Sequence, residues 1–172
     1  MKFFTDSHVR SIDKKSRLQV PAPMRAVIRE ERRRNGLPED EGVVLYVTLG
    51  EFPGTLSLLT EARFEELSER IETEYMTGLE SQRFELQFYS SISHVEMDKQ
   101  GRIVLPDRLL KRAGLVGEVY VVGQKNRIEI WRKDAFEKTR APTWDGKVSW
   151  KGEPWPDWQA FLRMRPGEAG RT

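Results

Sequence analysis

The chain has 172 residues, two histidines, no cysteine and a formal net charge of +2, and its 38% hydrophobic and 33% charged content is typical of a folded protein of one or two small domains. The absence of cysteine excludes disulfide frameworks, cysteine-ligated metal sites and thiol catalysis. No apolar run approaches the roughly 18 residues of a membrane span, and the N-terminus lacks the apolar stretch of a signal peptide, so we expect a cytoplasmic protein with no membrane partner.

The beginning of the chain predicts a strand, a turn, a second strand and a helix. Residues 8–12 alternate in polarity like a strand, residues 13–16 (Asp-Lys-Lys-Ser) predict a turn, and residues 17–20 predict the return strand. Pro21 ends this strand because it has no N–H group for a ladder, and it opens an amphipathic helix that extends to Arg34.

Two β-rich runs and two helices follow. The runs cover residues 43–48 and 55–59, after a polar loop over residues 32–41. Residues 60–76 predict a long helix, because apolar side chains recur there every three or four positions. Residues 81–90 predict that the helical structure continues.

The next part of the chain has the same order of elements. Strands over residues 93–97 and 102–105 flank a predicted turn at residues 98–101, and Pro106 opens a helix that extends to Ala113. Two further β-rich runs and a helix around Phe136 complete the pattern.

This similarity in order is also a similarity in residues. Four residue types recur with a constant spacing: Asp13 and Asp98, Lys14 and Lys99, Arg17 and Arg102, and Pro21 and Pro106. Such an internal repeat predicts two copies of one structural unit. One unit is too small to bury a stable core alone, so we expect the two units to pack around a pseudo-two-fold axis, with both turns on the same side.

The two turns differ at one position. An aspartate at the start of a turn can accept hydrogen bonds from backbone N–H groups two residues further on, so Asp13 and Asp98 are expected to support their turns. Gly101 suits a left-handed backbone conformation at the end of the second turn. Ser16 occupies the matching place in the first turn, where we expect some strain.

The small net charge conceals a strong charge pattern. Residues 10–34 contain nine basic and three acidic side chains, and residues 99–112 contain five basic and one acidic. Residues 61–85 contain eight acidic and three basic side chains. Two basic segments on either side of an acidic one indicate an anionic polymer as partner, although solvated surface faces would give the same pattern.

Three strings carry a resemblance to a known family. They are Asp-Lys-Lys-Ser-Arg-Leu-Gln-Val-Pro at residues 13–21, Asp-Lys-Gln-Gly-Arg-Ile-Val-Leu-Pro at residues 98–106, and Val-Val-Gly-Gln-Lys-Asn-Arg-Ile-Glu-Ile-Trp at residues 121–131. Over roughly residues 3–138 the chain resembles MraZ, the family of bacterial transcriptional regulators of the division and cell-wall gene cluster. The second repeat is the more similar of the two.

The resemblance implies an α+β fold, in which two AbrB-like, swapped-hairpin β-barrel units form a pseudo-two-fold tandem repeat with short flanking helices. It divides the chain into a first repeat (residues 1–77), a second repeat (78–140) and a C-terminal extension (141–172). It also implies a ring-shaped, octamer-like homo-oligomer. This ring would bind repeated boxes of double-stranded DNA in promoters, as a nucleoid-associated repressor.

The resemblance makes Arg17 and Arg102 the motif arginines. The planar guanidinium group suits this role because it can bind guanine or phosphate through two hydrogen bonds, whereas lysine contacts phosphate without reading sequence. The candidate DNA-binding residues are Lys14, Lys15, Arg17, Lys99, Gln100 and Arg102, and the candidate turn-supporting residues are Asp13, Asp98 and Gly101. For each arginine, the alternative is an ion pair with the nearby aspartate and no contact with DNA.

A second function stays open at this point: a ring-forming scaffold for protein interactions, with weak or lost DNA binding. Ser16 stands where the family usually has glycine, and the extra loop at residues 32–41 is a further departure. No catalytic constellation, cofactor motif or metal-ligand spacing is present, so we expect no enzyme activity, cofactor or metal. His8 and His94 are expected to be polar strand residues. Residues 32–34 (Arg-Arg-Arg) either complement the helix dipole or form a secondary contact with the DNA backbone.

The C-terminal extension differs in composition. Residues 141–172 contain four of the five tryptophans and four of the nine prolines. We expect this segment to pack on its own protomer or to dock on another protomer or partner protein.

Overall fold

The computed structural model describes residues 2–74 and 78–140, so the expectation for the extension at 141–172 lies outside the described residues. The chain divides into two units, Met1–Ala135 and Phe136–Thr172, and the following description concerns the first unit and the helix that ends at Arg140. No helix of the described residues is long and apolar enough to cross a membrane. The division into repeats at residues 77 and 78 stays a prediction.

Eight strands and five helices are described, and their bounds lie close to those predicted. The strands are β1 Ser7–Ser11, β2 Arg17–Gln19, β3 Val43–Leu49, β4 Thr55–Thr60, β5 Ser93–Met97, β6 Arg102–Val104, β7 Glu118–Gln124 and β8 Arg127–Arg132. The helices are α1 Ala22–Arg34, α2 Glu61–Glu74, α3 Leu79–Ser91, α4 Asp107–Ala113 and α5 Lys133–Arg140. The α+β class is confirmed.

Six of the strands form one antiparallel sheet, in the order β1-β7-β8-β4-β3-β5. The strands β1 and β5 are its two edges. The expected β-barrel units are therefore not present as closed barrels in the described part of the chain. This expectation was wrong because of how the strands are exchanged along the sequence.

The exchange is visible in the pairing partners. In the hairpin β3–β4, strand β3 pairs with the edge strand β5, which comes later in the chain. In the hairpin β7–β8, strand β7 pairs with β1, the first strand of the chain. The two hairpins join through β4 and β8. Neither half of the chain can close on itself, because each contributes its first strand to the hairpin of the other half.

The two remaining strands, β2 and β6, form a short antiparallel ribbon. Arg17 pairs with Val104, Leu18 with Ile103, and Gln19 with Arg102. Leu18 and Ile103 are completely buried in the core. Because successive side chains of a strand point to opposite faces, the other four residues of the ribbon share its outer face.

Each strand of the ribbon leads into a helix through a proline. Pro21 and Pro106 have extended backbones and occupy the N-cap positions of α1 and α4, rather than the first helical turn. Met24 and Ile28 on α1 and Leu109 on α4 are buried, so both helices pack on the core beside the ribbon. The ribbon is thereby fixed on its buried side and exposed on the other.

Candidate nucleic-acid interface

The first turn is organised by a single carboxylate. Asp13 Oδ1 accepts hydrogen bonds from the backbone N–H groups of Lys15 and Arg17, both at 2.9 Å. Asp13 Oδ2 accepts one from Nε of Arg17 at 2.7 Å. The backbone closes the turn, because Asp13 N–H donates to the Arg17 carbonyl and Ser16 N–H donates to the Asp13 carbonyl.

The second turn has the same hydrogen bonds. Asp98 Oδ1 accepts from the backbone N–H groups of Gln100 and Arg102, and Asp98 Oδ2 accepts from Nε of Arg102, all at 2.9 Å. The backbone bonds Asp98 N–H to the Arg102 carbonyl and Gly101 N–H to the Asp98 carbonyl also correspond. In both turns one aspartate accepts two backbone N–H groups and the Nε of the arginine.

Ser16 adopts the same type of backbone conformation as Gly101, its counterpart in the second turn. Its φ is +59° and that of Gly101 is +80°, so serine adopts the left-handed conformation that glycine adopts in the second turn. This conformation costs an ordinary residue free energy, but the first turn keeps the same pattern of hydrogen bonds as the second. Ser16 Oγ also donates a hydrogen bond of 2.8 Å to Oδ1 of Asp107, the first residue of α4.

Each Asp–Arg pair presents one edge of the guanidinium group to solvent. The Nε atoms are held by the carboxylates, whereas the terminal Nη atoms of Arg17 and Arg102 have no hydrogen-bond partner within residues 2–74 and 78–140. Both arginine side chains are 36% exposed. The aspartates hold the arginines in place without occupying the atoms that would bind a ligand.

The hydrogen bonds also keep both carboxylates charged. The pKa of Asp13 lies below its usual value, chiefly because the backbone N–H of Arg17 donates to it, and the guanidinium group of Arg17 adds to the effect. The backbone N–H of Arg102 lowers the pKa of Asp98 in the same way. A charged carboxylate offsets the charge of its arginine, so each Asp–Arg pair is formally neutral.

The pairing of β2 with β6 brings the two arginines onto one surface. Arg17 and Arg102 lie on the outer face of the ribbon, two residues apart along it and on neighbouring strands. Strand geometry then separates their Cα atoms by about 8 Å. The two turns lie at opposite ends of the ribbon, with Lys14 and Lys15 at one end and Lys99 at the other.

The basic helix α1 contributes less charge to this surface than the sequence suggested. Arg29 pairs with Asp40 at 2.5 Å, Arg33 pairs with Glu39 at 2.7 Å, and Arg34 pairs with Glu30. These contacts tie the loop after α1 to the helix.

Arg32 has a different position from its neighbours in sequence. Its side chain is buried and donates to Glu61 and to the carbonyl groups of Pro38 and Glu41. Arg32 therefore holds the loop in place and is not available as a secondary contact with a DNA backbone.

The two histidines lie on different strands. His8 lies on β1 and His94 on β5, which are the two edge strands of the sheet. Among residues 2–74 and 78–140, no group of three or more histidine, aspartate or glutamate side chains is arranged to hold a metal ion.

Comparison with known proteins places this chain in a family. Residues 88–143, which include the second turn, match the family described as "MraZ protein, putative antitoxin-like". The chain is 32% identical over 138 residues to the protein "Transcriptional regulator MraZ" of Rickettsia rickettsii, a match that covers 80% of this chain and 87% of the relative. The chain belongs to the MraZ family. Relatives of the same name from Mycoplasma mobile and Cytophaga hutchinsonii are 29% and 28% identical, over 77% and 80% of this chain and 81% and 85% of their own lengths.

In this MraZ-family chain, the sequence did not reveal two residues of the outer face. Gln19 lies opposite Arg102, and its Nε2 donates to the Gln100 carbonyl at 2.7 Å, which links the first strand of the ribbon to the second turn. Val104 lies opposite Arg17 and is 55% exposed. The alternation of buried and exposed side chains along Arg17–Gln19 and Arg102–Val104 could have indicated an outer face. Only the pairing of the two strands shows that these residues share it.

Proposed function

We propose that this protein is a transcriptional regulator that binds double-stranded DNA through the outer face of the β2–β6 ribbon and the two turns at its ends. The observation that carries the proposal is the position of Arg17 and Arg102, held by Asp13 and Asp98 on one exposed face with their Nη atoms toward solvent. The names of the relatives support a role in transcription.

The chemistry of the Asp–Arg pairs favours contact with bases. An arginine that a carboxylate holds by Nε keeps two terminal nitrogens for the O6 and N7 atoms of guanine. Because the pair is formally neutral, it contributes little to a general attraction for phosphate. A two-stranded ribbon also fits the major groove of B-form DNA, which is about 12 Å wide.

The lysines of the turns have the complementary role. Lys14, Lys15 and Lys99 are exposed, and none of them forms an ion pair within the described residues. Lysine contacts phosphate without reading sequence, and Gln100 adds an exposed amide beside Lys99. Three such phosphate contacts correspond to a slope of log K against log salt of about −2.7.

One ribbon makes few contacts, so single-site binding is expected to be weak. A homo-oligomer that engages several repeated boxes raises the affinity through effective concentration. Exposed apolar side chains on α3 support self-assembly: Leu79, Phe84 and Leu86 are 65%, 50% and 72% exposed. We propose that the oligomer is the ring, octamer-like, that the family resemblance implies.

The strand order supports an AbrB-like pseudo-two-fold arrangement. The repeat makes β1 the counterpart of β5, β3 that of β7, and β4 that of β8. Counterparts lie at equal distances from the two ends of the sheet order β1-β7-β8-β4-β3-β5, as a two-fold axis at its centre requires. The matching hydrogen bonds of the two turns have the same symmetry. We propose that residues 1–77 and 78–140 are the two swapped repeats.

The target follows from the family resemblance. The proposed boxes lie upstream of the division and cell-wall gene cluster, and a ring bound across them would act as a repressor in the nucleoid. The exposed apolar side chains of α3 are also what the alternative function, a ring-forming scaffold without DNA binding, would need.

The decisive experiment measures binding of purified protein to the duplex DNA upstream of its own gene, by gel shift and fluorescence anisotropy. Arg17→Ala and Arg102→Ala should each weaken binding by about 5- to 150-fold, which is the range for one bidentate contact with a base. Arg33→Ala is the matched control, because Arg33 is an exposed arginine of α1 that, like Arg17 and Arg102, pairs with a carboxylate, here that of Glu39.

The result distinguishes the two functions. If the Arg17→Ala, Arg102→Ala double variant binds the same DNA as tightly as the wild type, the proposed interface is wrong. If the wild-type protein assembles in solution and binds none of this DNA, the scaffold function is the correct one.

A further inference from the structure

A third arginine lies against the second turn. Arg25, in the first turn of α1, crosses Gly101 so closely that a Cβ atom at that position would be 2.4 Å from Cδ and 2.8 Å from Nε of Arg25. Only a glycine leaves this space. The guanidinium group is therefore packed beside the turn that carries Asp98 and Arg102.

Arg25 differs from the other arginines of α1, because no acidic partner binds it in the part of the chain that the structure describes. Arg29, Arg33 and Arg34 each pair with a carboxylate. Within residues 2–74 and 78–140, Arg25 forms no ion pair, and its Nε is buried without a hydrogen-bond partner. No described carboxylate lies within ion-pair distance of its guanidinium group.

The repeat does not place an arginine at the position of α4 that corresponds to Arg25. With the spacing of the repeat, the counterpart of Arg25 is Leu110, which is buried in the core. The residue of α4 that meets the first turn is Asp107, which accepts the hydrogen bond from Ser16. The α4 residue that contacts the first turn is therefore acidic, whereas the α1 residue that contacts the second turn is basic.

The first turn has more basic residues in its own sequence than the second. The first turn contains Lys14 and Lys15, whereas the second contains Lys99 followed by Gln100. The second turn thus has one cation fewer in its own sequence. Arg25, which belongs to α1, adds a second cation beside the second turn, so that each turn has two.

We propose that Arg25 is a further DNA-contacting residue, whose guanidinium group binds a backbone phosphate beside the second turn as Lys15 does beside the first. The inference rests on the proposed function. A phosphate is the ligand that fits, because an arginine without a carboxylate partner keeps its full charge, and terminal guanidinium nitrogens donate in pairs to phosphate oxygens. With Lys14, Lys15 and Lys99, this makes four phosphate contacts and a slope of log K against log salt of about −3.6.

Two substitutions of similar length separate charge from packing. Arg25→Gln removes the charge and Arg25→Lys keeps it, while neither retains the buried Nε. In anisotropy titrations on the upstream duplex over a range of salt concentrations, Arg25→Gln should weaken binding roughly tenfold and change the slope to about −2.7. Arg25→Lys should keep the wild-type slope. Adding Gln100→Lys to the Arg25→Gln variant should recover about one phosphate contact.

The outcomes test this inference separately from the proposed function. The inference is wrong if Arg25→Gln binds with the wild-type affinity and slope while Arg102→Ala loses binding. It is also wrong if Arg25→Lys is as impaired as Arg25→Gln, since Arg25 would then act only by packing on the turn, or if Gln100→Lys recovers nothing. If Arg102→Ala and Arg17→Ala also bind normally, the proposed function itself fails.

Discussion

The contact between Gly101 and Arg25 leads to a prediction that links stability to DNA binding. Gly101→Ala places a Cβ on a backbone with φ of +80° and within 2.4 Å of Cδ of Arg25. The backbone cannot move away easily, because Gly101 N–H donates to the Asp98 carbonyl and the Gly101 carbonyl accepts from Val20 N–H. The flexible side chain of Arg25 is therefore the part that moves.

The expected loss of stability comes from the backbone conformation. A left-handed conformation costs an ordinary residue about 1 to 2 kcal/mol relative to glycine. For a chain of 172 residues this lowers Tm by about 2 to 8 °C. The displaced Arg25 adds little to this loss, because it has no ion pair within the described residues to break. Its displacement should appear instead in the salt dependence of DNA binding.

Thermal unfolding by circular dichroism and anisotropy titrations measure the two effects on one protein sample. Gly101→Ala should lower Tm and should also shift the salt slope as Arg25→Gln does. The matched control is the reciprocal change, Ser16→Gly, which relieves the strained φ of +59° but loses the hydrogen bond to Asp107. These terms oppose each other, so Ser16→Gly should stay within about 1 kcal/mol of the wild type. The reasoning is refuted if Gly101→Ala leaves Tm unchanged, or if it lowers Tm while the salt slope keeps its wild-type value.

Two further predictions concern the ribbon. Leu18→Ala or Ile103→Ala should each lower the free energy of unfolding, measured by urea denaturation, by about 2 to 5 kcal/mol, because both side chains are completely buried. Val104→Ser, on the exposed face, should lower it by less than about 0.5 kcal/mol. Equal losses at the three positions would contradict the assignment of the two faces. The lowered pKa values of Asp13 and Asp98 should stabilise the fold fully above about pH 4, the unfolded value, and this contribution should be lost as pH falls through the folded values. In urea midpoints against pH, the Asp13→Asn, Asp98→Asn double variant should lose less stability on acidification than the wild type, and parallel curves would contradict this.

The turns could be predicted from the sequence because their interactions are local. Asp13 meets the N–H groups of residues two and four positions further on, and its carboxylate meets the side chain of Arg17. The repetition of this pattern at Asp98 made the prediction specific. The strand at residues 93–97 was confirmed with the same bounds for a similar reason, since alternation and the following turn define it without any distant partner.

The pairing of distant segments could not be predicted in the same way. The exchange of β1 and β5 between the hairpins, which replaces closed barrels by an open sheet, depends on contacts across most of the chain. The contact of Arg25 with Gly101 likewise joins residues that no periodicity connects. Gln19 and Val104 acquired a role only when the register of the β2–β6 ribbon was known.

The structure also changes the meaning of the charge pattern. The basic segment at residues 10–34 reads as a strongly positive surface, but four arginines of α1 have acidic partners, and Arg17 is paired with Asp13. An ion pair that already exists in the protein releases no counterion from DNA when it meets a base edge, so these residues add little to the salt dependence. Lys14, Lys15 and Lys99 in the turns, and Arg25 against the second turn, have no acidic partner within the described residues. In the proposed complex, the electrostatic part of DNA binding would therefore be small and confined to the ends of the ribbon, and the two Asp–Arg pairs between them would select the sequence.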